Sequence, residues 1–255
     1  MKKIAILFSG NMRNVLDIQK NLNENLIDPL KSSGYEYDIF IHTWNSNASK
    51  DGIGKNDMYI KTNDIQYITT SLSKNFNVKK IIIEDQDKVY DLHGGDSNLN
   101  KIIGSRSIRK YNEDKTKKLL KGLYFQYYGQ FKSLEIIEGD YDYIIKTRPD
   151  VWYFERFNVN LLKSLSFPHS HQFGGRNINQ IFYVGPTDKM KKVLMFWKYL
   201  TTETHKTLEG YPKYDINLNM IFRHYVEKIL EFTPNFVDYD PGLYRNKNKI
   251  TTISK

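Results

Sequence analysis

The segment Tyr141–Asp150 carries the residue types with the clearest chemical potential in this sequence. The residues Tyr-Ile-Ile-Lys at 143–146 are followed by Thr-Arg-Pro-Asp, which predicts a strand that ends in a turn. Ligands of open α/β sheets bind beyond the carboxyl ends of the strands, where a carboxylate can hold a divalent cation against a diphosphate. The pattern therefore predicts Asp150 as a metal ligand, with Arg148 placed to pair with a phosphate or to orient the carboxylate. The alternative is that Asp150 is an ordinary turn residue after Pro149.

A second candidate site follows the first apolar run, where the chain reads Ser9-Gly10-Asn11-Met12-Arg13. Gly10 lets the backbone approach a ligand closely, and the N–H groups that open the next helix attract an anion. Arg13 can reach a phosphate or stack on a base. Together with Ser9 and Asn11, these residues predict a nucleotide-binding turn. The alternative is a plain turn between a strand and a helix.

Histidines mark two further candidate positions. His42 and Thr43 lie where the second predicted strand ends, and His42 can form a hydrogen bond with a ribose or a base. The alternative there is a packed strand end with Trp44 in the core. His169 and His171 flank a serine at a spacing that a strand would place on one face, so a metal site is conceivable. Hydrogen-bonded structural histidines are the alternative for this pair.

The elements that must position these residues follow from the apolar pattern. The continuous apolar run Ile4–Phe8 is typical of a strand buried on both faces. Further strands are predicted at Tyr37–His42, Val78–Ile83 and Tyr143–Lys146. Apolar residues at helical spacing predict helices at 15–26, 65–76 and 119–137. Polar segments at 45–57 and 91–114 are predicted to be loops. The alternation of strand and helix predicts an α/β fold.

The last third of the sequence has a different character. We predict strands at 180–184 and 229–232, helices from Thr187 through Trp197 and from Ile216 to Val226, and a frayed basic tail at 245–255. No internal repeat and no linker rich in Pro, Gly or Ser divides the chain. One domain spanning 1–255 is therefore predicted.

Composition limits the class of protein further. The 255 residues include 38 Lys and Arg against 29 Asp and Glu, and the net charge of +9 favours anionic partners such as nucleotides, sugar phosphates, nucleic acid or an anionic membrane face. The absence of cysteine excludes disulfide frameworks, thiolate nucleophiles and cysteine-based metal sites. No stretch approaches the roughly 20 apolar residues of a membrane span. A soluble, cytoplasmic protein is predicted, with peripheral membrane contact left open. Motifs of P-loop NTPases, dinucleotide oxidoreductases, α/β-hydrolases and zincins do not occur in the sequence.

Taken together, these segments resemble the nucleotide-sugar-dependent glycosyltransferases of the GT-A fold, most closely a small group encoded in bacterial polysaccharide clusters and large DNA viruses. The resemblance covers most of the chain and rests on the stretches IAILFSGNMRN, FIHTWN, YDYIIKTRPDVWYF, NQIFYVGPTDKM and DINLNMIFRHYV. It implies a three-layer α/β/α fold. A Rossmann-like nucleotide-sugar-binding half with a mixed sheet would occupy 1–150, an acceptor-side half 151–245, and a basic tail 246–255.

The resemblance also implies a reaction. A hexose or deoxyhexose would move from a nucleoside diphosphate sugar, most simply a UDP-sugar, to a hydroxyl of a glycan acceptor. A Mn²⁺ or Mg²⁺ ion would bridge the donor diphosphate to Asp150. The sequence departs from the family pattern at Arg148, which stands where the first Asp of the metal motif would be. This departure lowers the expected metal affinity, and Arg148 would itself assist the leaving diphosphate.

Family position implies further site residues. Gln126 and Gln130 match a helix that faces the nucleotide or the donor sugar, while Tyr127 between them also fits a core position. Asp215 is implied as the base that deprotonates the acceptor hydroxyl. Its alternative role is the N-cap of a helix. The amides at 177, 179 and 180 stand where the family often has a carboxylate, and an amide cannot act as a base.

Two other classes of protein stay open. A non-catalytic protein that binds nucleotide sugars or carbohydrates would keep the same fold, and Arg148 in the metal motif is compatible with it. A nucleic-acid-binding protein would suit the net charge and the many Tyr and Phe residues, which can stack on bases. The basic residues are dispersed, however, and no nucleic-acid-binding motif occurs, so no nucleic-acid partner is predicted. The sequence leaves the oligomeric state open.

Overall fold

Apolar runs in the first 150 residues form the central part of the sheet. The structure is a computed structural model that describes residues 1–12, 15–45, 62–97, 113–170, 177–178, 180–202, 218–239, 241–246 and 249–251. Its strands are β1 (Lys2–Ser9), β2 (Tyr35–Trp44), β3 (Val78–Glu84), β4 (Tyr143–Thr147), β5 (Val151–Tyr153), β6 (Ser166–Ser170), β7 (Asn177–Ile178), β8 (Tyr183–Pro186), β9 (Asn235–Val237), β10 (Pro241–Asn246) and β11 (Lys249–Thr251). In β1, every residue from Ile4 to Ser9 is buried, as expected for a strand covered on both faces.

Amphipathic segments supply the helices. They are α1 (Val15–Leu22), α2 (Asp28–Ser32), α3 (Thr62–Asn75), α4 (Gln86–Leu92), α5 (Glu113–Glu135), α6 (Thr187–Leu194), α7 (Phe196–Thr202) and α8 (Leu218–His224). π-helical turns at Asn23–Ile27 and Tyr225–Ile229 extend α1 and α8, and a 3₁₀ turn spans Val159–Lys163. Pro29 lies in the first turn of α2, where a missing N–H is tolerated, so it continues the helical path instead of ending it.

The main sheet is mixed. Strands β3, β2, β1 and β4 lie side by side in that order and are all parallel. Next, β8 pairs antiparallel with β4, and β6 pairs with β8, β7 and β9. A smaller sheet joins β5 to the hairpin of β10 and β11. The α/β prediction is therefore confirmed, with a mixed sheet at the centre.

Helices cover both faces of the main sheet. Side chains alternate along a strand, so Ile4, Ile6 and Phe8 face one side and Ala5 and Leu7 the other. The first side packs in a core with the helical residues from α1 to α3, and the second packs with the helices from α4 to α8. The sheet is thus a layer between two layers of helices.

The connections reverse direction at β1. From β1 the chain moves through α1 and α2 to β2, then through α3 to β3, always toward one edge of the sheet. The connection through α5 then returns the chain across the opposite face to β4, on the other side of β1. Ligands of open α/β sheets bind at such a switch point, outside the carboxyl ends of the strands. We call the ends of β1 to β4 the carboxyl edge, and the gap between β1 and β4 is its switch point.

Several sequence predictions differ from the structure. The strand predicted at 229–232 is wrong, since Ile229 ends a π-helical turn and Glu231 adopts a left-handed conformation with φ 54°. The strand predicted at 180–184 begins later, at Tyr183. The predicted helix from Thr187 through Trp197 is divided into two helices, at Met195.

Two segments predicted to be unstructured take part in the fold. In the tail, 245–246 and 249–251 belong to the hairpin beside β5 instead of being frayed. In the predicted loop 91–114, Asp91 and Leu92 end α4, and the His93 ring packs on Trp197 at 4.9 Å between ring centroids. The predicted loop residues at 46–57 and 98–112 lie outside the described residues. Among the described helices, none has the length and apolarity needed to cross a membrane.

Candidate functional site

The turn after β1 is fixed to the ends of both neighbouring strands. Gly10 has φ 129°, a backbone conformation that side-chain-bearing residues rarely adopt. Its N–H donates to the carbonyl oxygen of His42 at 3.2 Å. A Cβ atom on Gly10 would lie 3.8 Å from Cδ of Pro149. The predicted nucleotide-binding turn therefore lies at the switch point, with Asn11 half-buried directly after Gly10.

Arg148 and Asp150 form a bidentate ion pair just beyond the end of β4. Nε of Arg148 donates to Oδ1 of Asp150, and Nη2 donates to Oδ2, both at 2.8 Å. The Asp150 side chain is 0% exposed, whereas the Arg148 side chain is 17% exposed. Such a fork pairs a planar guanidinium with both carboxylate oxygens and fixes the orientation of each group. The structure thus brings the two predicted residues together, with the cation on the outside.

The described residues do not fit a Mn²⁺ or Mg²⁺ ion at Asp150. Both ions need several accessible oxygen ligands, whereas the Asp150 carboxylate is fully buried and pairs through both oxygens with the positively charged Arg148. Within the described part of the chain, no group of three acidic or histidine side chains is placed to hold a metal ion. The metal role of Asp150 stays a sequence prediction that this geometry does not support.

His42 pairs with an acidic residue that the sequence analysis did not select. Its Nε2 lies 2.7 Å from Oε2 of Glu84, the last residue of β3, and Oε1 of Glu84 accepts from the Tyr128 hydroxyl at 3.2 Å. Burial lowers the pKa of His42 despite the nearby carboxylate. Burial alone would raise the pKa of Glu84, but hydrogen bonds from His42 and Tyr128 bring that pKa below its usual value. A neutral His42 that donates from Nε2 to ionised Glu84 agrees with both shifts.

Helix α5 packs closely on this end of the sheet through Gly129. A Cβ atom there would lie 3.0 Å from Nδ1 of His42 and 3.7 Å from Cβ of Ser9. Ser9 and His42 are register partners in β1 and β2, and both side chains are buried. Ser9 Oγ and His42 Nδ1 have no hydrogen-bond partner among the described residues. Glycine is the residue that lets the helix approach this closely.

Of three other predicted site residues, Thr43 and Gln130 are buried and Gln126 is half-buried. Thr43 is buried on the face opposite to His42, because neighbouring residues of a strand point to opposite sides. Gln130 lies inside the core, where its Oε1 accepts from the Tyr183 hydroxyl at 2.6 Å. Gln126 is half-buried, one helical turn nearer the start of α5 than Gln130. Direct ligand contact by Thr43 or Gln130 would require these buried groups to become accessible.

Lys146 is a second residue that the sequence analysis missed. It lies in β4, is 0% exposed and donates through Nζ to the carbonyl oxygen of Gln180. Its Nζ also lies 5.4 Å from the centre of the Tyr183 ring. Burial holds the pKa of Lys146 well below its ordinary value, and the charge of Arg148 lowers it further. The available signal was a lysine within an apolar strand, because lysine is rarely buried without a specific partner.

Four of the predicted residues cannot be placed in full. Arg13 and Asp215 lie outside the described residues, as do His171 and the side chain of His169. Their predicted roles therefore stay predictions. In comparisons with known proteins, no family model and no curated protein matches this chain.

Proposed function

We propose that this protein is a GT-A-type glycosyltransferase that moves a sugar from a nucleoside diphosphate sugar to a hydroxyl of a glycan acceptor. The supporting observation is the switch point, where the Gly10 turn lies against Pro149, the residue between Arg148 and Asp150. Backbone N–H groups at the start of a helix and an adjacent guanidinium are the groups that bind phosphates in proteins. The resemblance in sequence supplies the reaction class, and UDP is its most direct choice of nucleotide.

In this proposal the two halves of the chain have different tasks. The parallel strands of 1–150 bind the nucleotide, with the half-buried Gln126 as a candidate to contact the base or the donor sugar. His42, like Thr43 and Gln130, is fully buried and would have to become accessible before it could contact a ligand. The part from 151 to 245 binds the acceptor. Asp215 accepts the proton of the acceptor hydroxyl, as its position in the sequence implies. A non-catalytic protein of the same fold would bind the donor and leave it intact.

A test begins with thermal unfolding in UDP, ADP, GDP and CDP, because a ligand that binds only the folded state raises the melting temperature. Hydrolysis of the matching nucleotide sugar, followed as nucleotide release, then tests turnover. We expect Asp215→Asn to keep donor binding and to lower turnover by roughly 10²- to 10⁴-fold. Asp87→Asn, which removes an exposed carboxylate at the start of α4, is the matched control and should leave turnover unchanged. Donor binding without any turnover in the wild type would favour the non-catalytic protein.

A further inference from the structure

We propose that Arg148 provides the positive charge that faces the donor diphosphate and that Asp150 is a positioning residue for Arg148 instead of a metal ligand. The inference rests on the proposed function, because it concerns the same donor site. It predicts nucleotide binding and sugar transfer without a divalent cation.

The first argument is the occupied carboxylate. Both oxygens of Asp150 are held at 2.8 Å by Arg148, and the carboxylate is fully buried. A metal ion would have to reach a fully buried carboxylate and bind it beside the positive charge of the guanidinium, or displace the guanidinium from it. Removing one partner from a buried ion pair is strongly unfavourable. The carboxylate is therefore better suited to hold Arg148 than to bind an ion.

The second argument is position. Thr147 at the end of β4 is the register partner of Phe8, so Arg148 follows at the level where β1 ends and the Gly10 turn begins. Pro149 lies against Gly10 on the other side of the switch point. A diphosphate bound by the turn would thus lie beside the guanidinium.

The third argument is the polarity of the pair. Arg148 and Asp150 together carry no net charge, but the anion is fully buried and the cation is partly exposed. The pair is therefore a dipole whose positive end is the more exposed one. A fixed dipole of this kind stabilises charge that develops during a reaction without reorganising.

The charge that develops is on the leaving group. In the transfer, the bond between the anomeric carbon and the diphosphate oxygen breaks, and its electron pair stays on that oxygen. The acceptor oxygen forms the new bond to the anomeric carbon, and the acceptor proton passes to a base, for which Asp215 is the sequence candidate. Arg148 would stabilise the diphosphate as it gains this negative charge.

Calorimetry of UDP binding to the full chain, in EDTA and in Mn²⁺, tests the inference. We expect the wild type to bind UDP equally in both buffers. Arg148→Gln should weaken binding by roughly 10- to 100-fold in both, the range for a lost charge-assisted hydrogen bond. Arg148→Lys should lose less UDP affinity, because lysine keeps the positive charge but cannot form the bidentate pair. Asp150→Asn should weaken binding less than Arg148→Gln, since it disturbs only the orientation of Arg148.

Two further variants control for a general loss of positive charge and for misfolding. Arg223→Gln removes an arginine whose Nε donates to Glu227 at 2.7 Å within one helix, and it should bind UDP like the wild type. If Arg148→Gln fails to fold, Arg148→Gln/Asp150→Asn removes both charges of the pair and provides the measurement. Thermal unfolding of each variant shows that it is folded.

The outcomes separate the inference from the proposed function. UDP binding that needs Mn²⁺, is lost in Asp150→Asn and is kept in Arg148→Gln would overturn the inference and leave the proposed function standing. Failure of UDP, ADP, GDP and CDP to bind the folded wild type in either buffer would overturn both. Equal binding in the two buffers, weakened by Arg148→Gln and unaffected by Arg223→Gln, supports both.

Discussion

Two acid–base pairs lie at the carboxyl edge with opposite polarity. In the His42–Glu84 pair, which joins β2 and β3, the histidine is 0% exposed and the carboxylate is 24% exposed. In the Arg148–Asp150 pair, beyond β4, the carboxylate is the buried partner and the guanidinium is partly exposed. One pair thus presents an anion to solvent and the other a cation. We therefore expect an anionic group of a ligand to bind near Arg148, between β1 and β4. Hydroxyl or N–H donors of a ligand are expected to bind near Glu84, at the ends of β2 and β3.

The pairs also differ in how pH acts on them. Arginine keeps its proton at every pH at which proteins fold, whereas histidine titrates near neutrality. Arg148 therefore keeps its charge, whereas His42 can change its charge. Four substitutions at or next to the two pairs test this comparison. They are given in order of decreasing expected effect on stability.

Arg148→Met should have the largest effect. It leaves the buried Asp150 carboxylate without its ion-pair partner, so we expect the free energy of unfolding to fall by about 3–5 kcal/mol. Urea denaturation measures the loss. Arg148→Met/Asp150→Leu should recover most of it, because no unpaired charge is then buried. If Arg148→Met alone is as stable as the wild type, Arg148 does not balance the buried charge of Asp150.

Gly129→Ala should have the next largest effect, on the His42 side. Its Cβ would lie 3.0 Å from the His42 ring, and overpacking of this kind costs about 1–3 kcal/mol. Gly122→Ala is the control in the same helix, since nothing lies within 4 Å of its Cβ. The control should gain about 0.5–1 kcal/mol from helix propensity. Equal changes in the two variants would contradict a close approach of α5 to the sheet.

The His42 pair should make stability depend on pH. Burial lowers the pKa of His42 below the usual 6.5, so the unfolded chain binds a proton more readily than the folded chain. The free energy of unfolding should then fall as pH drops below about 6.5, by about 1.4 kcal/mol for each pH unit until folded His42 titrates. Denaturation curves between pH 7 and pH 5 measure this slope.

His42→Gln should flatten that slope without abolishing it. Burial also lowers the pKa values of His93 and His224, which contribute with the same sign. Glu84 acts in a lower range, because its lowered pKa makes stability fall only below about pH 4.5. An unchanged slope between pH 7 and pH 5 in His42→Gln would show that folded His42 accepts protons as readily as the unfolded chain does.

Asp85→Ala should have the smallest effect. Asp85 follows Glu84 and caps α4, accepting from the backbone N–H groups of Asp87 and Lys88 at 3.0 and 3.1 Å. Loss of such a cap costs about 1 kcal/mol, and Asp85→Asn should cost almost nothing because Asn caps equally well. Thermal unfolding of the two variants checks this. A similar loss in both would assign the role of Asp85 to its charge instead of the cap.

The fold was predictable where the pattern of apolar residues fits only one type of secondary structure. The run Ile4–Phe8 is continuous and apolar, and the helix at 65–76 has regular spacing, so both elements appear near their predicted places. The run at 229–232 was ambiguous, because a short apolar stretch fits a strand or a buried helical turn equally well. The hairpin of β10 and β11 could not be predicted, because its partner β5 lies far away in the sequence.

The candidate site was predictable in outline but not in its pairings. The rule that ligands bind at carboxyl ends of strands selects Ser9, His42 and Asp150, and the structure places all three at that edge. The same rule, applied to β3, would have selected Glu84. The partner of each charged group depends on strand order and on which face each residue occupies, and neither is known before the topology. Alternation alone could have separated His42 from Thr43.

The pairing of β5 with β10 has a consequence for synthesis. Val151, directly after the Arg148–Asp150 pair, is the register partner of Leu243, and Tyr153 is that of Pro241. At ribosomal speeds of about 5–20 residues per second, β5 waits several seconds for its partner to be made. During that time β5 lacks the partner that later pairs with it, while the N–H and C=O of Tyr153 can still bond to the side chain of Asn21. In a nascent chain stalled before residue 241, we therefore expect the parallel strands to be complete while the smaller sheet is still missing.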